Sequence, residues 1–510
     1  MTAPIVPFLA LRTDVLARAL DARDARFDGV FFVGITTTRV YCRPVCPARV
    51  AYNDHRRFFR SAAAAERAGF RPCMRCRPEL APGLALIDAV PRLARAAALR
   101  IAAGALNGRT VADLARDLGV GERHLRRALE REVGVSPLEL AQTHRLLLAK
   151  QLLADTRLSV TRIAYSSGFQ SLRRFNAAFR EQYRMAPSVV RRRFRSRGTE
   201  KGVLREDAPL RLSLAYRAPF AWDALIAFLR RDAIDGVETV DKHRYARTIQ
   251  IDGLTGFIVV ENAAPKANAL RVAVSPSLVP ALMPLLARLR HLFDLDAEPT
   301  VIDAHLVESG LGALVTRRPG LRIPGAIDGF DVALRALLRG RARASGGTPP
   351  NDPARRAAWA LGEPIETGIP ELSRLTPNAA RVAEAGSRRL EALGILRGRA
   401  AAAIAVARLV ADGKLRLEPG SDVAATRRAL TEIAGVGDQV ATTIMMRALD
   451  WPDALPVTDR GLQRTAGVST SRELRVLGER WRPWRAYAAL HLWLELKTQQ
   501  QTTPAPTAVA

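Results

Sequence analysis

Apolar residues along the chain follow two periods. From residue 84 to 196 they recur at helical spacing. Leu84–Ala103 is rich in Ala, Leu and Arg with apolar positions near every 3.6 residues, which predicts a helix. The pattern Val111-x-x-Leu114-Ala115-x-x-x-Gly119-Val120 returns about 50 residues later as Val160-x-x-Ile163-Ala164-x-x-x-Gly168-Phe169. Behind it, Leu125, Leu129, Val133 and Pro137 match Phe175, Phe179, Tyr183 and Pro187. The glycine of each copy permits a tight turn between two helices, and a helix over Leu138–Leu153 connects the copies. The period then changes to two. Leu210, Leu212, Leu214 and Tyr216 alternate with polar or small residues, as in a half-buried strand. Helical spacing over Phe220–Arg231, strands at Ala246–Ile251, Gly256–Glu261 and Leu270–Val274, and a helix over Leu278–Phe293 follow. Asp252-Gly253 is a hairpin signal. This order fits an antiparallel sheet with helices on one face. From residue 301 the chain is helical again. An amphipathic helix is expected at Gly329–Leu338, a Gly/Pro/Asn-rich loop at Ser345–Pro353, and further helices up to Leu430. Leu430–Thr442 then carries Gly435-x-Gly437, a turn whose backbone N–H groups can approach a phosphate.

Length and charge extend this picture. The 510 residues suggest three or four domains. Net charge is +28, from 78 basic and 50 acidic residues, so a polyanion is the expected partner. Lys occupies only six positions, and an Arg-rich style of composition is the plain alternative; Arg forks nevertheless suit phosphate. The second helix of each repeat carries basic residues: Arg123, His124, Arg126 and Arg127 in one, Ser171, Arg173, Arg174 and Asn176 in the other. These are candidate groove and phosphate contacts. A helical bundle with a solvated basic face is the alternative for one copy; two copies in tandem favour DNA. The N-terminus lacks a basic leader and a cleavage site. The Leu278–Leu289 apolar run is broken by Pro280 and Pro284. The expectation is a soluble, cytoplasmic protein without membrane association, ending in a disordered tail over 496–510.

All cysteines lie in one stretch: Cys42, Cys46, Cys73 and Cys76, two close pairs about 25 residues apart. Two short-spaced knuckles complete a tetrahedral four-thiolate zinc site. Two disulfides are the alternative, but they need an oxidising compartment. The run Phe31-Phe32-Val33-Gly34-Ile35-Thr36-Thr37-Thr38-Arg39-Val40-Tyr41-Cys42-Arg43-Pro44-Val45-Cys46-Pro47-Ala48, with Ala68-Gly69-Phe70-Arg71-Pro72-Cys73-Met74-Arg75-Cys76, resembles the N-terminal domain of the Ada methylphosphotriester-repair proteins. The resemblance implies that Cys42 is both zinc ligand and acceptor of a methyl group from a methylated DNA phosphate. It also implies that Thr38, Arg49 and Arg71 meet the DNA backbone. Pro47 stands where that family can place an arginine. Four thiolates on divalent zinc hold two negative charges in excess, and methylating one leaves a single charge. At ~8 Å and an effective dielectric of ~20, that relieves on the order of 2 kcal/mol of repulsion per phosphate before salt screening. Methylation is therefore expected to tighten DNA binding.

The tandem repeat resembles AraC-type transcription regulators, which implies a promoter operator and RNA polymerase as partners. Beyond the two hairpin glycines lie Leu455-Pro456-Val457-Thr458-Asp459-Arg460-Gly461-Leu462 and Trp481-Arg482-Pro483-Trp484-Arg485-Ala486-Tyr487-Ala488-Ala489-Leu490-His491-Leu492-Trp493. With the preceding strand-rich module, residues 205–495 resemble the AlkA 3-methyladenine DNA glycosylases of the helix-hairpin-helix superfamily. The resemblance implies that Asp459 is the catalytic carboxylate, that Gly435 and Gly437 hold DNA backbone, and that Trp493 helps form a pocket for the flipped base. A buried anion suits an oxocarbenium-like sugar, and an aromatic face attracts a cationic base. Helix capping is the alternative role for Asp459, with Thr458 as a substitute cap, and core packing is the alternative for Trp493. Strand-cleaving relatives carry a Schiff-base lysine where Gln439 stands here, so a monofunctional glycosylase is expected. Ala434 replaces a usual proline, Gln439 and Thr443 replace aromatics, and Leu337–Arg343 replaces a Gly/Gln-rich stretch. These departures bear on lesion range and rate.

The expected fold class is multidomain and mainly α. It comprises a small four-cysteine zinc α+β domain (1–82), an all-α double helix-turn-helix (85–196), an α+β antiparallel-sheet module (205–300) and an all-α helix-hairpin-helix glycosylase domain (301–495). The sheet module carries no catalytic constellation and reads as structural or docking. The expected function is repair of alkylated DNA coupled to transcription control. The rival is a regulator whose rear half only binds DNA. With no further cysteine, a second thiol-based demethylase is excluded.

Overall fold

The computed structural model describes residues 12–48, 52–82, 92–195, 208–263, 267–339 and 352–502. The chain forms two compact units: residues 1–217 with 249–290 and 295–298, and residues 218–248 with 291–294 and 299–510.

The first unit begins with a helix, Thr13–Asp21, and a sheet of β1 (Phe32–Ile35), β2 (Val40–Cys42), β3 (Arg56–Phe59) and β4 (Arg71–Pro72) in the order β3-β1-β2-β4. β1 pairs antiparallel with β2 and β3, and β2 pairs parallel with β4. Alternation along the strands sorts the side chains onto two faces. Phe31 and Val33 pack with Leu16, Leu20 and the four cysteines; Phe32, Tyr41 and Phe70 form a separate cluster with Ala62 and Ala65.

The repeat folds as its spacing predicts. Helices Val111–Asp117 and Glu122–Glu132 form the first copy, and Val160–Ser166 and Leu172–Tyr183 the second. Polar caps start three of the four: Thr110 and Asp113 form a reciprocal capping box, and Ser159 and Ser171 accept from the N–H of Arg162 and Arg174, whereas Glu122–Glu132 starts on Gly121 without a side-chain cap. Gly119 and Gly168 sit at φ +67° and +87°, which L side chains rarely adopt. At Gly168 a Cβ would also lie 2.4 Å from the Asn107 side chain. The preceding helix spans Arg92–Ala102; residues 84–91 of the expected Leu84–Ala103 helix lie outside the described residues.

The connecting helix, Pro137–Asp155, is buried on several sides. Its Lys150 is fully buried, and Nζ donates to Glu79 Oε2 at 2.6 Å and to the carbonyl of Cys73 at 3.0 Å. Its Thr143 donates to Glu66 Oε2 at 2.6 Å, and the Tyr41 hydroxyl donates to Glu66 Oε1 at 2.9 Å. Burial pushes the Glu66 carboxyl up to about 7, against these hydrogen bonds and the Lys150 charge.

A five-stranded sheet follows: β5 (Leu210–Ala215), β6 (Glu238–Val240), β7 (Arg244–Ile251), β8 (Leu254–Asn262) and β9 (Ala269–Val274), in the order β5-β9-β8-β7-β6. β5–β9, β8–β9 and β6–β7 pair antiparallel, with Leu212 opposite Val272 and Val260 opposite Val272. The short β6 carries too few residues to reveal its period in the sequence. Where one helix was expected over Leu278–Phe293, a 3-10 segment Pro276–Ala281 precedes a helix Leu282–Leu292. Pro280 has no N–H for an α-helical bond.

The second unit is helical apart from β6 and part of β7. Its central helix, Gly329–Arg339, packs Phe330, Leu334, Leu337 and Leu338 against helices Ala379–Ala392, Arg397–Ala411 and Asp438–Ala448. The same helix buries Asp331, Arg335 and Arg339. Arg335 Nε donates to Asp331 Oδ1 and its Nη1 to Glu238 Oε2, both at 2.8 Å, and Arg247 Nη2 reaches Asp331 Oδ2 at 3.3 Å. Arg339 grips the buried Asp352 through Nε at 3.0 Å and Nη2 at 2.7 Å. These charges are buried in matched pairs, as desolvation demands. Arg339 is thus wall material; residues 340–351 lie outside the described residues. Pro353, expected in a loop, is the first residue of helix Pro353–Leu361, a position where its missing N–H costs nothing.

Candidate functional site

Two sites emerge, one in each unit. In the first, β2 ends on Cys42, a tight turn brings Cys46 back, and Cys73 and Cys76 follow β4. The four sulfurs lie within 4.8 Å of one another, all are buried, and all are free thiols. The N–H of Arg43 donates to Cys76 Sγ at 3.4 Å, and that of Arg75 to Cys73 Sγ at 3.3 Å. Such donors stabilise sulfur anions. Four anions at this spacing need a cation among them, and a closed set of four soft sulfurs suits zinc. The residues therefore fit the metal, and Cys42, Cys46, Cys73 and Cys76 would hold it. The Arg43 side chain donates from Nε to Asp28 Oδ1 at 2.8 Å and from Nη1 to the Cys76 carbonyl at 3.2 Å, which locks the first knuckle.

Thr38 is exposed in the turn between β1 and β2, and Arg71 is half-buried on β4; Arg49 lies outside the described residues. In the recognition-type helices, Arg123, Arg173 and Arg174 are exposed, opposite the buried Leu125, Leu129, Phe175 and Phe179. Arg126 is instead tied to Glu122 on its own helix at 2.6 Å. Ser171 is engaged as a helix cap.

The second site is a cavity of about 390 Å³. Asp459, Gln439, Thr443, Trp493 and Phe228 line it, with Arg335, Arg339 and Arg447 in its wall. Asp459 caps helix Arg460–Thr465: its Oδ1 accepts the N–H of Leu462 at 2.8 Å. Capping and cavity lining coexist in this residue, and the expected substitute cap, Thr458, does not cap. The Asp459 Oδ2 accepts from Gln439 Nε2 at 2.8 Å. A Cβ at residue 461 would fall 3.0 Å from Asp459 Oδ1 and 2.8 Å from Leu496, so Gly461 makes room for the carboxylate. Trp493 is half-buried on the cavity wall, whereas Trp481 is buried in the core. Gly435, at φ +91°, and Gly437 are exposed in the turn between helices Val423–Thr431 and Asp438–Ala448.

Sequence reasoning missed several wall residues. Phe228 lies under the guanidinium groups of Arg231 and Arg447, 4.7 and 5.1 Å from its ring centre. Asp232 accepts from Arg447 Nη1 at 2.7 Å; burial raises its carboxyl, but Arg447, Arg339 and Arg335 outweigh that and hold it at about 2. The available signal was Asp331, Arg335 and Arg339 at i, i+4 and i+8 on one apolar helix. Among the described residues, no helix is long and apolar enough to cross a membrane.

A thiolate metal centre beside tandem DNA-reading helices, and a carboxylate-bearing cavity beside a glycine hairpin, define a multidomain DNA repair and regulatory protein. Residues 16–79 match the metal binding domain of Ada, 114–193 a helix-turn-helix domain, and 211–328 the AlkA N-terminal domain. The chain is 35% identical over 485 residues, 94% of its length and 96% of the relative's, to a Mycobacterium tuberculosis protein described as a "probable bifunctional transcriptional activator/DNA repair enzyme AlkA". It is 30% identical over 281 residues, 55% of its length and 96% of the relative's, to DNA-3-methyladenine glycosylase 2 of Escherichia coli. It is 33% identical over 149 residues, 29% of its length and 40% of the relative's, to the bifunctional transcriptional activator/DNA repair enzyme Ada of Escherichia coli. The chain belongs to the family of bifunctional Ada/AlkA-type transcriptional activators and DNA repair enzymes. It binds DNA, and its N-terminal part is a zinc-binding domain.

Proposed function

We propose that the chain performs two repair reactions, with Cys42 and Asp459 as the reacting and charge-stabilising residues. At the front, Cys42 sulfur attacks the methyl carbon of a DNA methylphosphotriester. The S–C bond forms, the O–C bond breaks, and its electron pair stays on the phosphate oxygen, restoring a phosphodiester. Bound zinc supplies thiolate character at neutral pH. One observation favours Cys42 over two of the other three. Cys73 and Cys76 accept the backbone N–H groups of Arg75 and Arg43, while no such donor meets Cys42 among the described residues. Its lone pairs are freer than theirs. Thr38, Arg49 and Arg71 hold the phosphate backbone. The loss of one negative charge then strengthens operator binding by Arg123, Arg126, Arg173 and Arg174, and RNA polymerase is the partner at the promoter. In peptide mass spectra after incubation with methylphosphotriester DNA, the Cys42 peptide should gain one methyl group and the protein should bind its operator more tightly. An unmodified Cys42 would rule this step out.

At the rear, Gly435 and Gly437 hold the strand, the cavity takes the flipped base, and Trp493 forms one wall. Asp459 stabilises the oxocarbenium-like sugar as the glycosidic bond breaks and water adds. The observation that carries this reading is Asp459 fixed at the cavity by two hydrogen bonds. The substrate is an alkylated purine such as 3-methyladenine. Gln439 has no amine to form an imine with the sugar, so excision is monofunctional. Borohydride added during turnover should trap no protein–DNA adduct; a trapped adduct would refute that part.

We further divide the chain at residues 1–82, 85–196, 205–300 and 301–495, and place it in the cytoplasm with the DNA it repairs; of the disordered tail expected over 496–510, residues 496–502 instead continue helix Arg485–Thr502, with Leu496 buried. The matches to an Ada metal domain, a helix-turn-helix domain and an AlkA N-terminal domain support the first three parts.

A further inference from the structure

We propose that Gln439 reads the base: its side-chain carbonyl accepts from the 6-amino group of adenine-derived lesions and opposes the 6-oxygen of guanine-derived ones. The inference rests on the base-excision reading above and names the part of its substrate that selects.

The argument starts from the orientation of one amide. Gln439 lies on the first turn of helix Asp438–Ala448, half-buried, and lines the cavity. Its Nε2 donates to Asp459 Oδ2 at 2.8 Å. An ionised carboxylate only accepts, so it fixes which end of the amide faces it. The other end, Oε1, has no hydrogen-bond partner among the described residues. It therefore stands at the cavity as a lone acceptor beside the carboxylate.

The buried arginines of the wall do not offset it; Arg231 stacks on Phe228, and Arg460 and Arg464 enter the lining from exposed positions on helix Arg460–Thr465. Arg447 directs Nε to the Pro324 carbonyl at 2.9 Å and Nη1 to Asp232 at 2.7 Å. Arg335 and Arg339 are held by Asp331 and Asp352. The Thr443 hydroxyl donates to the backbone carbonyl of Gln439 at 2.9 Å and so presents lone pairs. This corner of the cavity offers acceptors to an incoming base. An exocyclic amine satisfies them; a carbonyl oxygen leaves two acceptors opposed. Rotating the amide to greet a carbonyl would point Oε1 at Asp459, placing a partial negative charge against the anion that must support the transition state. A polar mismatch of this kind discriminates far more strongly than a missing methyl group.

The test uses the full-length protein and DNA treated with a methylating agent that leaves both 3-methyladenine and 3-methylguanine. Released bases are separated by chromatography and the rate without protein is subtracted. Wild type should release 3-methyladenine roughly ten- to a hundredfold faster than 3-methylguanine. Gln439→Met, near in shape and devoid of both polar groups, should lower the overall rate and bring the two rates within about threefold of each other. Gln439→Leu, which also lacks both polar groups but differs in shape, should show the same loss of preference, which separates the lost acceptor from the packing of one side chain. Equal wild-type rates for the two bases, or a preference unchanged in both variants, would overturn the role of Gln439 while base excision stands. Release of neither base by wild type would overturn both.

Discussion

Replacing Asp459 by Asn is expected to lower release of 3-methyladenine by roughly a hundred- to ten-thousandfold, about 3–5 kcal/mol of transition-state stabilisation. Asn caps a helix about as well as Asp. The bond from the Leu462 N–H to Oδ1 therefore has a replacement acceptor, and helix Arg460–Thr465 keeps its start. What is lost is the negative charge facing the cavity, together with the second acceptor for Gln439. An electrostatic role thus predicts a fall in rate with unchanged melting temperature and DNA affinity. A structural role predicts the reverse, a lower melting temperature with near-normal rate in the folded fraction. Base release measured beside thermal unfolding separates the two. Full activity in Asp459→Asn would end the claim that this carboxylate acts on the sugar, and leave the cavity as a binding surface.

Removing zinc should unfold the N-terminal part. Its hydrophobic core is split into two small clusters, and in one of them Leu16, Leu20, Phe31 and Val33 pack directly against the four cysteines, which are themselves part of it. A core of this size supplies only about 3–5 kcal/mol, whereas a structural zinc contributes roughly 10–16 kcal/mol at neutral pH in small metal domains. Without the cation, four buried sulfurs within 4.8 Å of one another either repel as anions or protonate, and the sheet loses its anchor after β2 and β4. Chelation, or Cys76→Ser, should therefore erase amide protection over residues 12–82 and abolish operator binding. Base release from methylated DNA serves as the internal control and should persist. Intact protection after chelation and removal of the metal would show that the fold does not need it.

Local signals in the sequence carried most of this architecture. The two helix-turn-helix copies were legible because one glycine and a few apolar positions recur in register; the caps at Thr110, Ser159 and Ser171 were not read, and Ser171 had been expected at DNA instead. The cysteine quartet was legible from its spacing alone. The hairpin at Asp252-Gly253 was legible because both residues tolerate the positive φ they adopt, 50° and 78°. Long-range pairing was not. Gln439 and Asp459 stand 20 positions apart, and nothing local announces their bond. Asp232, which meets both Arg339 and Arg447, lies still further away, 107 and 215 positions from them. A charged residue on an apolar helix reads as an interruption until the opposing carboxylate is known. Pro280 was noted only as a break in an apolar run, yet it decides where the α-helix of that segment begins.

The ammonium of Lys150 bears on the portability of the front module. A buried cation resting on the peptide carbonyl beside a metal-binding sulfur and on Glu79 is satisfied only while residues 73 and 79 remain attached and folded. Excising the metal module would strand that charge in the middle of the rod joining the two DNA readers, and Thr143 would lose its acceptor as well. The cysteine module and the helix-turn-helix pair pack as one piece, and a graft of either onto another scaffold should carry the other along.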